Sequence, residues 1–194
     1  MTAPFTILLP PAWVRIPVDQ RTDHVFTDLI AGVVAQAPPE RRARLSTMLT
    51  SAANRSIAGA RAAGAIDLIL SFATVDGLPI PASIACFRIT PPEALGSTPE
   101  ATLLSFASPG SRAVEIDGTP AIRRVSDSGQ TDDVPAHRAI HYVVRHPDTH
   151  EWLLITASIL VIDDADFAEV LDAIEILIDA MASTIRFRKD AQSA

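Results

Sequence analysis

Apolar residues change their spacing twice along this chain, near residue 65 and again near residue 163. From about residue 22 to 64 they recur at the period of a helix face, from 65 to 161 they alternate or run on as in strands, and beyond 163 the helical period returns. Two short strands precede the first helix, Phe5 to Leu9 and Trp13 to Ile16. Pro10 and Pro11 separate them, and because proline cannot donate to a sheet ladder the segment reads as an edge. Phe26, Ile30, Val33 and Val34 predict a helix that starts at Asp19 or Thr22, either of which can cap it, and that the stretch QAPP stops. Pro39 and Glu40 suit the first turn of a second helix, along which Leu45, Leu49, Ala53, Ile57, Ala60 and Gly64 form one stripe.

The stretch IDLILSFATV is apolar on both alternating faces apart from Asp67 and Ser71, the pattern of a central strand covered on both sides. A turn at DGLP leads back into IPASIACFRI, which completes a hairpin. Ser97 or Thr98 followed by Pro99 predicts a short helix ending near Phe106, and RAVEID, a turn at GTP, and AIRRVS predict a second hairpin. The polar stretch 127–136 offers no apolar face and reads as a mobile loop. Strands follow from His137 to Arg145 and from Trp152 to Val161, then a helix with acidic Asp163, Asp164 and Asp166 at its start and Phe167, Val170, Leu171, Ile174, Leu177, Ile178 and Met181 on its apolar face. The stretch TIRFR closes the chain as a strand. The expected architecture is α/β of the α+β kind, an antiparallel sheet with helices on both faces. It forms a single α/β domain over residues 1–194, helical from about 20 to 64, with the sheet and last helix from about 65 to 189.

Four of the five histidines lie between His137 and His150, which raises the question of a metal or catalytic centre. Closing the hairpin with His146 opposite Glu151 sets Tyr142 against Ile155, Val144 against Leu153 and Ile140 against Ala157, a face apolar enough to take helices. The other face then carries His137, Ala139, His141, Val143 and Arg145 beside Leu160, Ser158, Thr156, Leu154 and Trp152. On a strand, residues four apart are separated by roughly 13 Å, so His137 and His141 cannot chelate one ion as neighbours. His146 falls on the opposite face, and His150 lies in the turn. No metal and no cofactor is expected. His137, His141, Arg145, Trp152 and Thr156 are instead the candidate binding surface, with a cation-π contact between Arg145 and Trp152 as one of its features.

Charge narrows the partners. A net charge of −7 and a pI near 5.1 disfavour nucleic acid, whose binding draws on clustered cations. Fifteen of the sixteen basic residues are arginine, a usage that fits a GC-rich genome. Seven carboxylates between Asp163 and Asp179 read as a solvated helix face, or as one that docks on a basic partner such as the arginines of the second helix. Cys86, the single cysteine, sits among apolar residues and reads as a small core side chain. With no apolar run of the length a membrane span needs, and no signal segment in MTAPFTILLPPAWV, a soluble cytoplasmic protein is expected. The chain carries no G-x-S-x-G, S-x-x-K, H-E-x-x-H, Walker or dinucleotide-binding motif.

The stretches PPAWVRIPVD, GLPIPASI, DGTPAIRR, HYVVRHPDTHEWLLITASI and DAIEILIDAMASTIRF, in this order, resemble a set of actinobacterial proteins and, more distantly, the Mog1/PsbP-like group with its LpqN-type members. The shared pattern is P-x-W near the start, a G-x-P-A-x-R hairpin, an apolar strand before an acidic helix, and AST-x-RF at the end. The resemblance implies an α/β/α sandwich and a protein that binds or assists others without catalysis. The chain departs from it by lacking a lipobox cysteine and by its long helical segment before the hairpins. The leading expectation is thus a non-catalytic binding or accessory protein, its partner another protein or a second copy of the chain. Two alternatives are a hydrolase-like enzyme using His141 beneath the 127–136 loop, and a chaperone-like component of a specialised secretion system.

Overall fold

The computed structural model describes residues 4–19, 22–75, 78–91, 98–131, 136–149, 151–161 and 167–188. Proline spacing sets the first boundaries. β1 is only Phe5–Thr6, because the chain turns at the prolines before β2 resumes at Trp13–Pro17. α1 (Thr22–Gln36) is anchored by the buried Thr22, whose hydroxyl accepts the Asp19 N–H at 2.8 Å. α2 (Pro39–Ala62) starts on Pro39 and ends at Gly64, which takes the left-handed conformation (φ +74°) that relieves the last carbonyls of a helix. Gly64 therefore closes the helix and does not extend its stripe.

The main sheet is formed by β2, β3 (Ala65–Ser71), β6 (Ala82–Ile89), β7 (Arg112–Ile116), β8 (Thr119–Ser128), β9 (His137–Arg145) and β10 (Trp152–Leu160). Among the described residues it has seven strands in the order β2-β3-β6-β10-β9-β8-β7, every pairing antiparallel. β3 is covered on both faces as its composition requires, but it lies beside the edge strand β2, and β10 occupies the middle. Between β3 and β6 a minor ribbon, β4 (Thr74–Val75) with β5 (Leu78–Pro79), extends the hairpin; the predicted turn residues 76 and 77 lie outside the described residues. The β7–β8 turn falls at Asp117 and Gly118, both at positive φ, one step before the GTP expected from sequence. The closing strand β11 (Arg186–Phe187) pairs with β1 away from the main sheet, and Asp117 accepts its Phe187 N–H at 2.8 Å.

Alternation divides the sheet into two faces. Ile69, Ile84, Ala157, Ile140 and Val125 follow one another across five strands and form a core with Leu171, Ile174, Ile178 and Met181 of α4 (Phe167–Ser183). Burial of each such large side chain contributes about 2 kcal/mol. On the other face α1 and α2 cover β2 and β3 through Phe26, Ala53 and Ile57 against Ile16 and Leu68. The short α3 (Pro99–Ser105), capped by Thr98, covers the far end through Leu103 against Ile122, Val143 and Trp152. Helices thus flank the antiparallel sheet on both faces.

Charged groups are placed as deliberately as apolar ones. Asp67, 1% exposed, is bridged by Arg15 at 2.7 Å, and the same guanidinium donates to the Phe5 carbonyl and lies 4.3 Å above the Phe5 ring. One ion pair therefore joins the first strand, β2 and β3. The acidic side of α4 divides: Glu169 and Asp172 are exposed, whereas Asp179 accepts from Arg123, Arg112 and Tyr142, and Glu175 from Arg123 and Arg138; Asp163, Asp164 and Asp166 lie outside the described residues. Burial works against the charged Arg123, yet its bonds to Asp179, Glu175 and Tyr142 outweigh that and leave it more basic than usual.

Candidate functional site: an open strip across the sheet

One row of paired residues shows where the helical cover stops. Ile16, Leu68, Ala85, Thr156, His141 and Arg124 stand side by side from β2 to β8. The first two are core beneath α1 and α2, while Thr156 and His141 are half-buried and Arg124 is exposed. Among the described residues cover returns only at the other end of β9 and β10, where α3 lies over Val143 and Trp152.

The hairpin register is the one the sequence implies: His146 N–H donates to the Glu151 carbonyl, and Tyr142, Val144 and Ile140 oppose Ile155, Leu153 and Ala157. Of the five candidate residues, the structure brings His141 and Thr156 into contact, with ring Nδ1 and hydroxyl 3.1 Å apart. Burial, together with the neighbouring Arg124 charge, holds the His141 ring below its ordinary pKa. His137 lies at the upper end, on an open depression of about 480 Å³ that it lines with Ser71, Ser83 and Ser158. Arg145 lies at the lower end, in a smaller hollow of about 230 Å³ beside α3. His137 and Arg145 are thus roughly 27 Å apart along one strand and do not converge on a single pocket.

Trp152 is a correction to the surface expected from sequence. It is 6% exposed, its ring 6.0 Å from that of Phe106, and it anchors α3. His146 is structural as well: it is 3% exposed, Asp148 N–H donates to its Nδ1, its Nε2 faces the Arg188 carbonyl, and its ring lies 4.8 Å from Phe187. Nδ1 accepts, so the proton sits on Nε2 and the ring fastens the chain end to the hairpin. His150, and residues 132–135 of the loop expected to roof His141, lie outside the described residues. Cys86 is 1% exposed, and burial pushes its thiol up to about 12, which makes it an inert core side chain.

Sequence reasoning missed Arg124. Arg123 and Arg124 are adjacent, and on a strand one points to each face; only pairing with β9 reveals that Arg124 stands beside His141 while Arg123 faces Tyr142 and α4. Among the described residues no group of three or more His, Cys, Asp or Glu side chains is placed to hold a metal ion, and no helix is long and apolar enough to cross a membrane.

No protein-family model matches the chain, and no curated protein matches it. Among solved structures it is similar to LpqN of Mycobacterium tuberculosis, a protein involved in cell envelope biogenesis, at 11% identity and a TM-score of 0.50 over 95% of this chain and 83% of that one. The likeness expected from the motifs is met at the level of architecture. This chain has the antiparallel, helix-flanked α+β fold that it shares with LpqN.

Proposed function

We propose that the chain is a non-catalytic binding or accessory protein that works through the strip between its two helical covers. The observation that carries this reading is the row in which core residues under α1 and α2 give way to half-buried Thr156 and His141 and exposed Arg124. Half-buried polar side chains on a rigid sheet are already ordered, so a ligand gains their hydrogen bonds without the cost of fixing them. His137, Ser158 and Arg145 extend the strip, and Trp152 supports it from beneath α3. A cytoplasmic location and a partner that is another protein or a second copy of the chain belong to this proposal, as does kinship with the Mog1/PsbP-like group.

The contact between His141 and Thr156 favours one alternative, a hydrolase-like enzyme with His141 as general base. Among the described residues no carboxylate bonds the ring, and the positive Arg124 makes it a weaker base. The binding reading is the better supported.

A photo-reactive amino acid replacing Ser158, compared in native cells with the same group replacing the exposed Arg55 on α2, tests the proposal. Adducts are expected at 158 and not at 55; the same pattern at both positions, or none at either, would sink it. An ester and amide panel on wild type and His141→Ala supplies the enzymatic arm. A turnover lost in the variant would overturn the non-catalytic reading.

A further inference from the structure

We propose that Arg124, His141 and Thr156 form a subsite for an oxyanion, the phosphate or carboxylate group of a small acidic ligand. The inference rests on the reading of the strip as a binding surface and names the chemistry it takes. The three residues occupy successive strands in one row, so their backbones lie within about 10 Å and their side chains rise from the same face. Arg124 supplies a planar fork of donors, and the bonded pair of His141 and Thr156 supplies one more: the ring Nε2–H when the hydroxyl donates to Nδ1, or the hydroxyl when Nδ1–H donates to it.

Arg124 differs from the arginines around it. Arg15, Arg88, Arg112, Arg123 and Arg138 each hold a carboxylate of this chain, whereas among the described residues Arg124 has none. Among the described residues its surroundings offer no substitute. The residues on this face of β6, β10, β9 and β8 are apolar, hydroxyl-bearing or basic, and none is acidic, although acidic residues outnumber basic ones in the whole chain by 23 to 16. At physiological salt a charge is screened beyond about 8 Å, so an approaching anion meets the Arg124 charge and not the remote carboxylates. Ala85, Ala139, Ser83 and Ser158 line the strip beside the row. Such short side chains leave room for a compact ligand next to the guanidinium.

The test is an NMR titration of the isotopically labelled full chain with inorganic phosphate, with acetate and with glycerol as a neutral polyol. Either anion is expected to shift the His141 ring and Thr156 amide signals saturably; phosphate alone or acetate alone would identify the group. Arg124→Gln should weaken this binding about tenfold or more, as loss of a charge-assisted pair does, while Arg55→Gln leaves it unchanged. Because Arg124 is exposed, the variant should keep the wild-type amide spectrum away from the row, which the same data verify. No saturable shift with either anion, shifts spread evenly over the surface, or unchanged affinity in Arg124→Gln would overturn the proposal. If glycerol alone titrates the row, the oxyanion assignment is wrong and the binding surface stands. If nothing titrates and cross-linking through position 158 also fails, both readings fall.

Discussion

The fold opposes protonation of His141, through burial first and the Arg124 charge second. The unfolded chain therefore takes up that proton more readily. Well above pH 6.5 both states are neutral at this ring and nothing is at stake; as pH falls through 6.5 the unfolded state is protonated first, and stability is lost until the folded value is reached. His141→Gln should flatten the fall of urea-unfolding stability below pH 6.5, and an unchanged slope would refute this account. Side-chain identity made the imidazoles conspicuous in the sequence, and strand alternation alone dispersed them to two faces. What alternation could not supply was the neighbour: Arg124 acts on His141 across a strand pairing of residues 17 apart, 124 and 141, whose register the sequence leaves open.

At the scale of elements, α4 is held by two kinds of contact. Its stripe of Leu171, Ile174, Ile178 and Met181 was legible from helical spacing, since apolar positions at that period must bury on something. Glu175 and Asp179 border the stripe, and their partners Arg112, Arg123, Arg138 and Tyr142 come from β7, β8 and β9, far away in sequence. Arg123, with 5% of its side chain exposed, cannot turn to water if Asp179 is removed and keeps only Glu175. Asp179→Ala should destabilise the protein by about 2 kcal/mol, less than loss of the sole partner of a buried ion because Glu175 remains on Arg123, as a lowered urea midpoint would show. Tyr142, whose phenol burial and the bond to Asp179 hold above its usual range, loses its acceptor in the same variant.

Across the whole molecule, the helical segment and the sheet share one core cluster, in which Ile16 and Leu68 pack with Phe26, Ala53 and Ile57. We propose that they unfold together. The two tryptophans report on different places, Trp13 in the α4-side core and Trp152 beneath α3, so Trp13→Phe and Trp152→Phe isolate a probe of each. Coincident urea transitions in both variants and in far-ultraviolet circular dichroism are expected, and separated transitions would show independent units.

Local chemistry settled much from the sequence alone. Proline placement, a helix start at Ser97 or Thr98 and the change of apolar period determined most elements, and the alternation of 137–161 determined which side of that hairpin is oily. Those signals act over a few residues, through dihedral preference and side-chain direction. Tertiary structure decided the rest: that β10 and not β3 is central, that β11 leaves the main sheet for β1, that Trp152 is roofed by α3, and that Arg124 reaches the histidine row. Each of these is a contact between distant segments, set by which surfaces exclude water from one another, and no local preference encodes it.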